Sequence, residues 1–159
     1  MKIGFVGLGV MGFPMAGHLL DAGYDLCVYN RTEEKAKRWV RQYGGQLAST
    51  PSEAAQGADM VCLCVGNDDD VREVVLSSEG VLQGLAPGGV IIDHTTASAE
   101  LARELRDLAA LQGSDFLDAP VSGGQAGAIN GTLTIMVGGD TTTFARAEAV
   151  LQVYARCVK

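Results

Sequence analysis

Three glycines near the start of the chain stand at a spacing suited to holding a diphosphate. Gly7-x-Gly9-x-x-Gly12 directly follows the apolar run Lys2–Val6 and precedes a helical pattern. Strand, glycine turn and helix in that order form a dinucleotide-binding arrangement, and each glycine has a mechanical task. Gly7 permits the tight turn out of the strand. Gly9 lacks the Cβ that would keep a pyrophosphate away, and Gly12 lets the helix pack close to the strand. The helix N-terminus then offers unpaired N–H groups and the positive end of its dipole to the anion.

The end of the second strand decides which dinucleotide fits. An acidic residue about 20 positions after the glycines accepts hydrogen bonds from the ribose 2′-hydroxyl in NAD sites. This chain instead reads Val28-Tyr29-Asn30-Arg31-Thr32. Asn30 can hydrogen-bond a ribose, Arg31 carries a guanidinium fork suited to a 2′-phosphate, and Thr32 adds a hydroxyl that can also cap a helix. Glu33 and Glu34 fall in the first turn of that helix, where carboxylates are favoured. The pattern favours NADP over NAD.

A second glycine-rich constellation lies late in the chain. Asp118-Ala119-Pro120-Val121-Ser122-Gly123-Gly124 precedes Gly131-Thr132-Leu133 and Met136-Val137-Gly138-Gly139. A serine hydroxyl beside two glycine amides can converge on a carboxylate, and taken alone the segment reads equally as a loop and hairpin. Asp68-Asp69-Asp70 looks superficially like a cation site but suits the first turn of a helix. Cys62-x-Cys64 lacks zinc-site spacing, and together with Cys27 it reads as buried reduced thiol. His18 fits a helix surface or boundary. His94, after a strand, fits a local structural residue.

The elements that must position these groups alternate along the chain. Strands are expected at Lys2–Val6, Leu26–Tyr29, Met60–Val65, Val90–Asp93, Asp115–Leu117 and Leu133–Val137. Helical spacing runs through 13–22, 33–42, 98–112 and 141–154, the last repeating Phe144, Ala147, Leu151 and Tyr154. Thr50 and Pro51 read as the N-cap and first residue of another helix. Strand–helix alternation with right-handed crossovers gives a doubly wound, Rossmann-type α/β fold, its mostly parallel sheet covered by helices on both faces.

Composition narrows the function classes. The 159 residues, 47% hydrophobic and 19% charged, suit one globular domain. A net charge of −7 with no Lys/Arg cluster argues against nucleic acid. No apolar run approaches a membrane span, and the N-terminus lacks the pattern of a signal peptide, so the chain reads as cytoplasmic.

Taken together, the motifs resemble the β-hydroxyacid dehydrogenase family, kin of 6-phosphogluconate dehydrogenase, over essentially the whole chain. The resemblance rests on GLGVMGFPMAGHLL, Asn30-Arg31-Thr32, CLCVGNDDDV, Asp93-His94-Thr95-Thr96 and DAPVSGGQAGAINGTLTIMVGG. It implies that Leu8, Met11 and the glycines line the pyrophosphate site. Val65, Gly66 and Asn67 would pass the middle of the cofactor, and Thr96 would lie near the nicotinamide ribose. Ser122, Gly123 and Gly124 would bind the carboxylate of a small hydroxy-acid or aldehyde-acid substrate. The Asn-Arg-Thr run is similar to that of the NADPH-using reductases in the family.

The resemblance also implies a catalytic lysine on a helix beyond this cofactor domain. A helical domain would follow there, completing the substrate pocket and a homodimer. The lysines present are Lys2, Lys35, Lys37 and Lys159. The first three lie in the N-terminal quarter and Lys159 follows a strand-like run, so none takes that role. Residues 1–159 are therefore expected to form the dinucleotide-binding domain, able to bind cofactor but nearly inactive alone. Two rival readings are a non-catalytic dinucleotide-sensing module and an imine reductase of related architecture. Retention of Ser122-Gly123-Gly124 weighs against both.

Overall fold

A computed structural model describes residues 1–159. Six parallel strands form the main sheet: β1 (Lys2–Val6), β2 (Asp25–Tyr29), β3 (Gln46–Leu47), β4 (Met60–Leu63), β5 (Val90–Asp93) and β6 (Asp115–Asp118). Their spatial order is β3-β2-β1-β4-β5-β6, so the winding reverses between β1 and β4. That reversal opens a crevice beyond the carboxyl ends of the strands, the usual ligand position in such sheets.

The strands are apolar on both sides because helices cover both sides. Ile3, Phe5, Met60 and Cys62 face α1 (Gly12–Asp21), α2 (Glu33–Tyr43) and α8 (Thr141–Leu151). Val61, Leu63 and Ile91 face α3 (Pro51–Ala55), α4 (Asp68–Leu76), α5 (Val81–Gly84) and α6 (Ala99–Leu111). Side-chain caps set several helix starts. Thr50, Asn67, Ser98 and Asp140 each accept a backbone N–H from the first turn of α3, α4, α6 and α8.

Two expectations need correction. The strand expected at Leu133–Val137 is shorter and does not join the main sheet. It forms β8 (Leu133–Ile135), the centre of a separate three-stranded sheet with β7 (Val121–Ser122, antiparallel) and β9 (Ala155–Val158, parallel). The helix expected to reach residue 154 ends at Leu151, so Tyr154 lies beyond it, fully buried, with its hydroxyl against His94. An aromatic at helical spacing is captured here by a polar partner just past the end of β5. Between β7 and β8 runs α7 (Gly124–Asn130), whose composition GQAGAIN carries almost no helical signal.

Candidate nucleotide site and its kinship

The glycine turn is built as its spacing requires. Gly7 has φ +100°, and a Cβ there would run into the Cys64 carbonyl, while one on Gly12 would meet the Gly7 carbonyl. Gly9 differs, since a Cβ on it would meet no atom within 4 Å. Nothing in the protein fills the space over Gly9. The N–H groups of Gly9, Val10, Met11 and Gly12 have no acceptor in the protein, and the first turn of α1 has no acidic residue. Four free donors, a helix dipole and an open approach fit a pyrophosphate.

The turn opens onto a cleft of about 520 Å³. Gly7, Gly9, Met11, Gly12, Asn30, Arg31, Thr32, Val65 and Gly66 line it together. Asn30 has a structural part as well. Its Oδ1 accepts the Leu8 N–H at 2.8 Å and its Nδ2 donates to the Thr32 carbonyl at 3.0 Å, tying the end of β2 to the glycine turn. Leu8 thus spends its N–H within the protein, and its side chain is buried in the core. Thr32 sits at the N-cap of α2 but makes no side-chain cap, which leaves its hydroxyl free.

Other expected residues stand outside this cleft. Asn67 is exposed and caps α4 through Oδ1 to the Asp70 N–H at 2.9 Å. Thr96 is exposed just past β5. Ser122, Gly123 and Gly124 form the junction between β7 and α7. All three are exposed, and the amides of Gly123 and Gly124 have no acceptor in the protein. Lys35, in the first turn of α2, also lines the cleft, and its place four residues after Arg31 is the one signal for it in the sequence. Tyr29, Glu73, Val74, Ser77 and Glu79 also line it, and no local motif marks them.

Buried polar links fix the strand ends beneath the cleft. Thr95 donates its N–H to Asp93 Oδ1 at 2.9 Å, and its hydroxyl accepts the Val65 N–H at 3.0 Å. His94 Nδ1 lies 2.7 Å from the Ala119 carbonyl, which can only accept, so the ring proton sits on Nδ1. Nε2 is then an acceptor, and the Tyr154 hydroxyl donates to it at 2.6 Å. Burial pulls the His94 pKa down to about 4 and keeps the ring neutral. Burial, with Asp118 beside it, raises Asp93 to about 6. Cys64, on the cleft wall, is pushed up to about 12 by burial and then by Asp93, so it stays a thiol and no nucleophile. Asp68, Asp69 and Asp70 occupy the first turn of α4, where Asp68 accepts the Ser98 N–H and Asp70 pairs with Arg31.

Comparison with known proteins agrees with this geometry. Residues 2–159 match the family described as the NAD binding domain of 6-phosphogluconate dehydrogenase. An uncharacterized oxidoreductase of Shewanella frigidimarina is 56% identical over 158 residues, covering 99% of this chain and 54% of the relative. The Mycobacterium tuberculosis 3-hydroxyisobutyrate dehydrogenase, solved with L-serine, superposes with a TM-score of 0.93 at 36% identity, over 99% of this chain and 53% of that one. A structure described as Psf3 in complex with NADP+ and 2-OPP gives a TM-score of 0.93 at 31% identity, over 99% and 55%. The chain spans about half the length of these relatives. No helix is long and apolar enough to cross a membrane. By sequence over residues 2–159, and in keeping with its fold, the chain belongs to the family of the NAD binding domain of 6-phosphogluconate dehydrogenase.

Proposed function

We propose that this chain is the NADP(H)-binding part of an oxidoreductase acting on a small hydroxy acid or the corresponding aldehyde acid. The observation that carries the NADP reading is the cationic wall of the cleft. Arg31 and Lys35 stand there beside the free Thr32 hydroxyl, and no carboxylate ends β2. A guanidinium fork and an ammonium suit a phosphate dianion better than a neutral 2′-hydroxyl. The solved relative described with NADP+ is in accord.

The nicotinamide, when bound, supplies the hydride chemistry. This chain's residues bind and orient. The amides of Gly9 through Gly12 take the pyrophosphate, while Arg31, Thr32 and Lys35 take the 2′-phosphate. The Val65–Gly66 turn, fixed by Thr95, walls the middle of the site. The Ser122 hydroxyl and the Gly123 and Gly124 amides take the substrate carboxylate, bringing the hydroxyl-bearing carbon into reach. Proton transfer at the reacting oxygen falls to a lysine outside residues 1–159. A general acid–base group is worth about 10²–10⁴ in rate, so residues 1–159 alone bind cofactor with little turnover.

The test is a paired titration with NADPH and NADH, followed by Trp39 or cofactor fluorescence and repeated with Arg31→Ala. Tighter NADPH binding that falls to the NADH level in the variant supports the reading. Equal affinities with no effect of the variant overturn it.

A further inference from the structure

Arg31 is already paired. Its Nη1 lies 3.6 Å from Asp70 Oδ1, although the two residues belong to opposite walls of the cleft. Arg31 follows β2, whereas Asp70 sits in the first turn of α4. The arginine side chain is 80% exposed and Asp70 only 27%, so the carboxylate is the better-held partner. Gly66 leaves room for it, because a Cβ there would lie 2.6 Å from Asp70 Oδ2. Any larger residue at that turn would make the carboxylate shift. Glu73 and Glu79 make the same wall acidic, whereas Lys35 on the facing wall has no carboxylate within ion-pair distance.

From this arrangement we propose that Asp70 sets how strongly the chain prefers a 2′-phosphorylated dinucleotide, by acting as the resident counter-ion of Arg31. The proposal rests on the NADP reading above. A 2′-phosphate that engages Arg31 must compete with Asp70 for the guanidinium, and the incoming dianion faces a carboxylate across the cleft. Both effects oppose NADPH and leave NADH, with its neutral 2′-hydroxyl, nearly untouched. Asp70 thereby moderates the preference that Arg31 and Lys35 create.

Asp70→Asn keeps the size of the side chain and removes its charge. NADPH and NADH affinities are measured at low salt, into the millimolar range, for the wild type, Asp70→Asn, Arg31→Ala and the double variant. Asp70→Asn is expected to tighten NADPH about three- to tenfold, the scale of a surface ion pair plus screened carboxylate–phosphate repulsion. NADH is expected to change less than about twofold, with the gain shrinking as salt is added and in the Arg31→Ala background. If Arg31→Ala weakens NADPH selectively but Asp70→Asn leaves NADPH unchanged, weakens it or shifts both cofactors alike, the Asp70 role is overturned and the NADP reading stands. If Arg31→Ala leaves the NADPH/NADH ratio unchanged, or neither cofactor binds at millimolar concentration, both fall.

Discussion

Tyr154→Phe removes one oxygen atom from the centre of the molecule. The phenol ring keeps its place at no volume cost, including the edge contact with the His94 ring at 5.4 Å and 84°. What disappears is the O–H donated to His94 Nε2 at 2.6 Å, and with it the acceptor for the Cys62 thiol at 3.9 Å. His94 cannot answer by flipping its tautomer, since Nδ1 must keep its proton for the Ala119 carbonyl. A buried acceptor left without a donor costs about 1–3 kcal/mol. The second loss is minor, as thiol hydrogen bonds are weak. For a domain of this size each kcal/mol moves Tm by about 2–4 °C, so the variant should melt roughly 2–12 °C lower. Thermal denaturation followed by circular dichroism measures the shift, and ring ¹⁵N chemical shifts report the tautomer. A Tm within about 1 °C of the wild type, or a His94 ring protonated on Nε2 in the parent protein, would refute the assigned direction of the hydrogen bonds.

Further predictions concern pH and the cleft. His94 titrates near 4 in the fold against an ordinary 6.5, so the unfolded chain takes the proton first. That contribution is present above 6.5 and is lost toward 4, at about 1.4 kcal/mol per pH unit. Asp93 runs oppositely, because its folded value of about 6 lies above the ordinary 3.8. Its contribution is present below 3.8 and is lost as pH rises through 6. Between pH 4 and 6 the two nearly cancel. Asp93→Asn, which keeps an acceptor for Thr95, should therefore lose about 2–3 kcal/mol more than the wild type over that interval in urea titrations. Parallel pH profiles would contradict the opposition. In Gly9→Ala the added Cβ meets no protein atom, so Tm should hold or rise slightly. Affinity for NADPH should fall at least about tenfold, because the methyl group stands where the pyrophosphate must approach. Unchanged affinity would place the pyrophosphate elsewhere.

Much of this arrangement was legible because it is local. The glycine turn, the end of β2 and the caps at Thr50 and the acidic first turn of α4 depend on neighbours in sequence, and each element stands where its residues point. What escaped depends on partners far along the chain. Asn30 reads as a ribose ligand in isolation, yet it also braces Leu8, 22 positions earlier. Tyr154 continues a helical apolar stripe on paper, but His94, 60 positions away, fixes it outside the helix. The small sheet was hidden for the same reason. Its strands are two to four residues long and gain their order from pairing across distant segments rather than from alternation within themselves.

The strand order also implies a history for each molecule as it leaves the ribosome. β2 docks on β1, β3 on β2, β4 on the other flank of β1, β5 on β4 and β6 on β5. No later strand has to wedge between two that are already paired. A nascent sheet can therefore grow outward from β1, each new strand adding at a free edge. Tyr154 breaks the sequence of local arrivals. It is made 36 residues after β6 is complete, and until then the imidazole of His94 lacks its protein donor for Nε2. The six-stranded sheet can assemble early, but the buried histidine beside it waits for Tyr154, the residue just before β9, so the segment leading into the small sheet closes the core last.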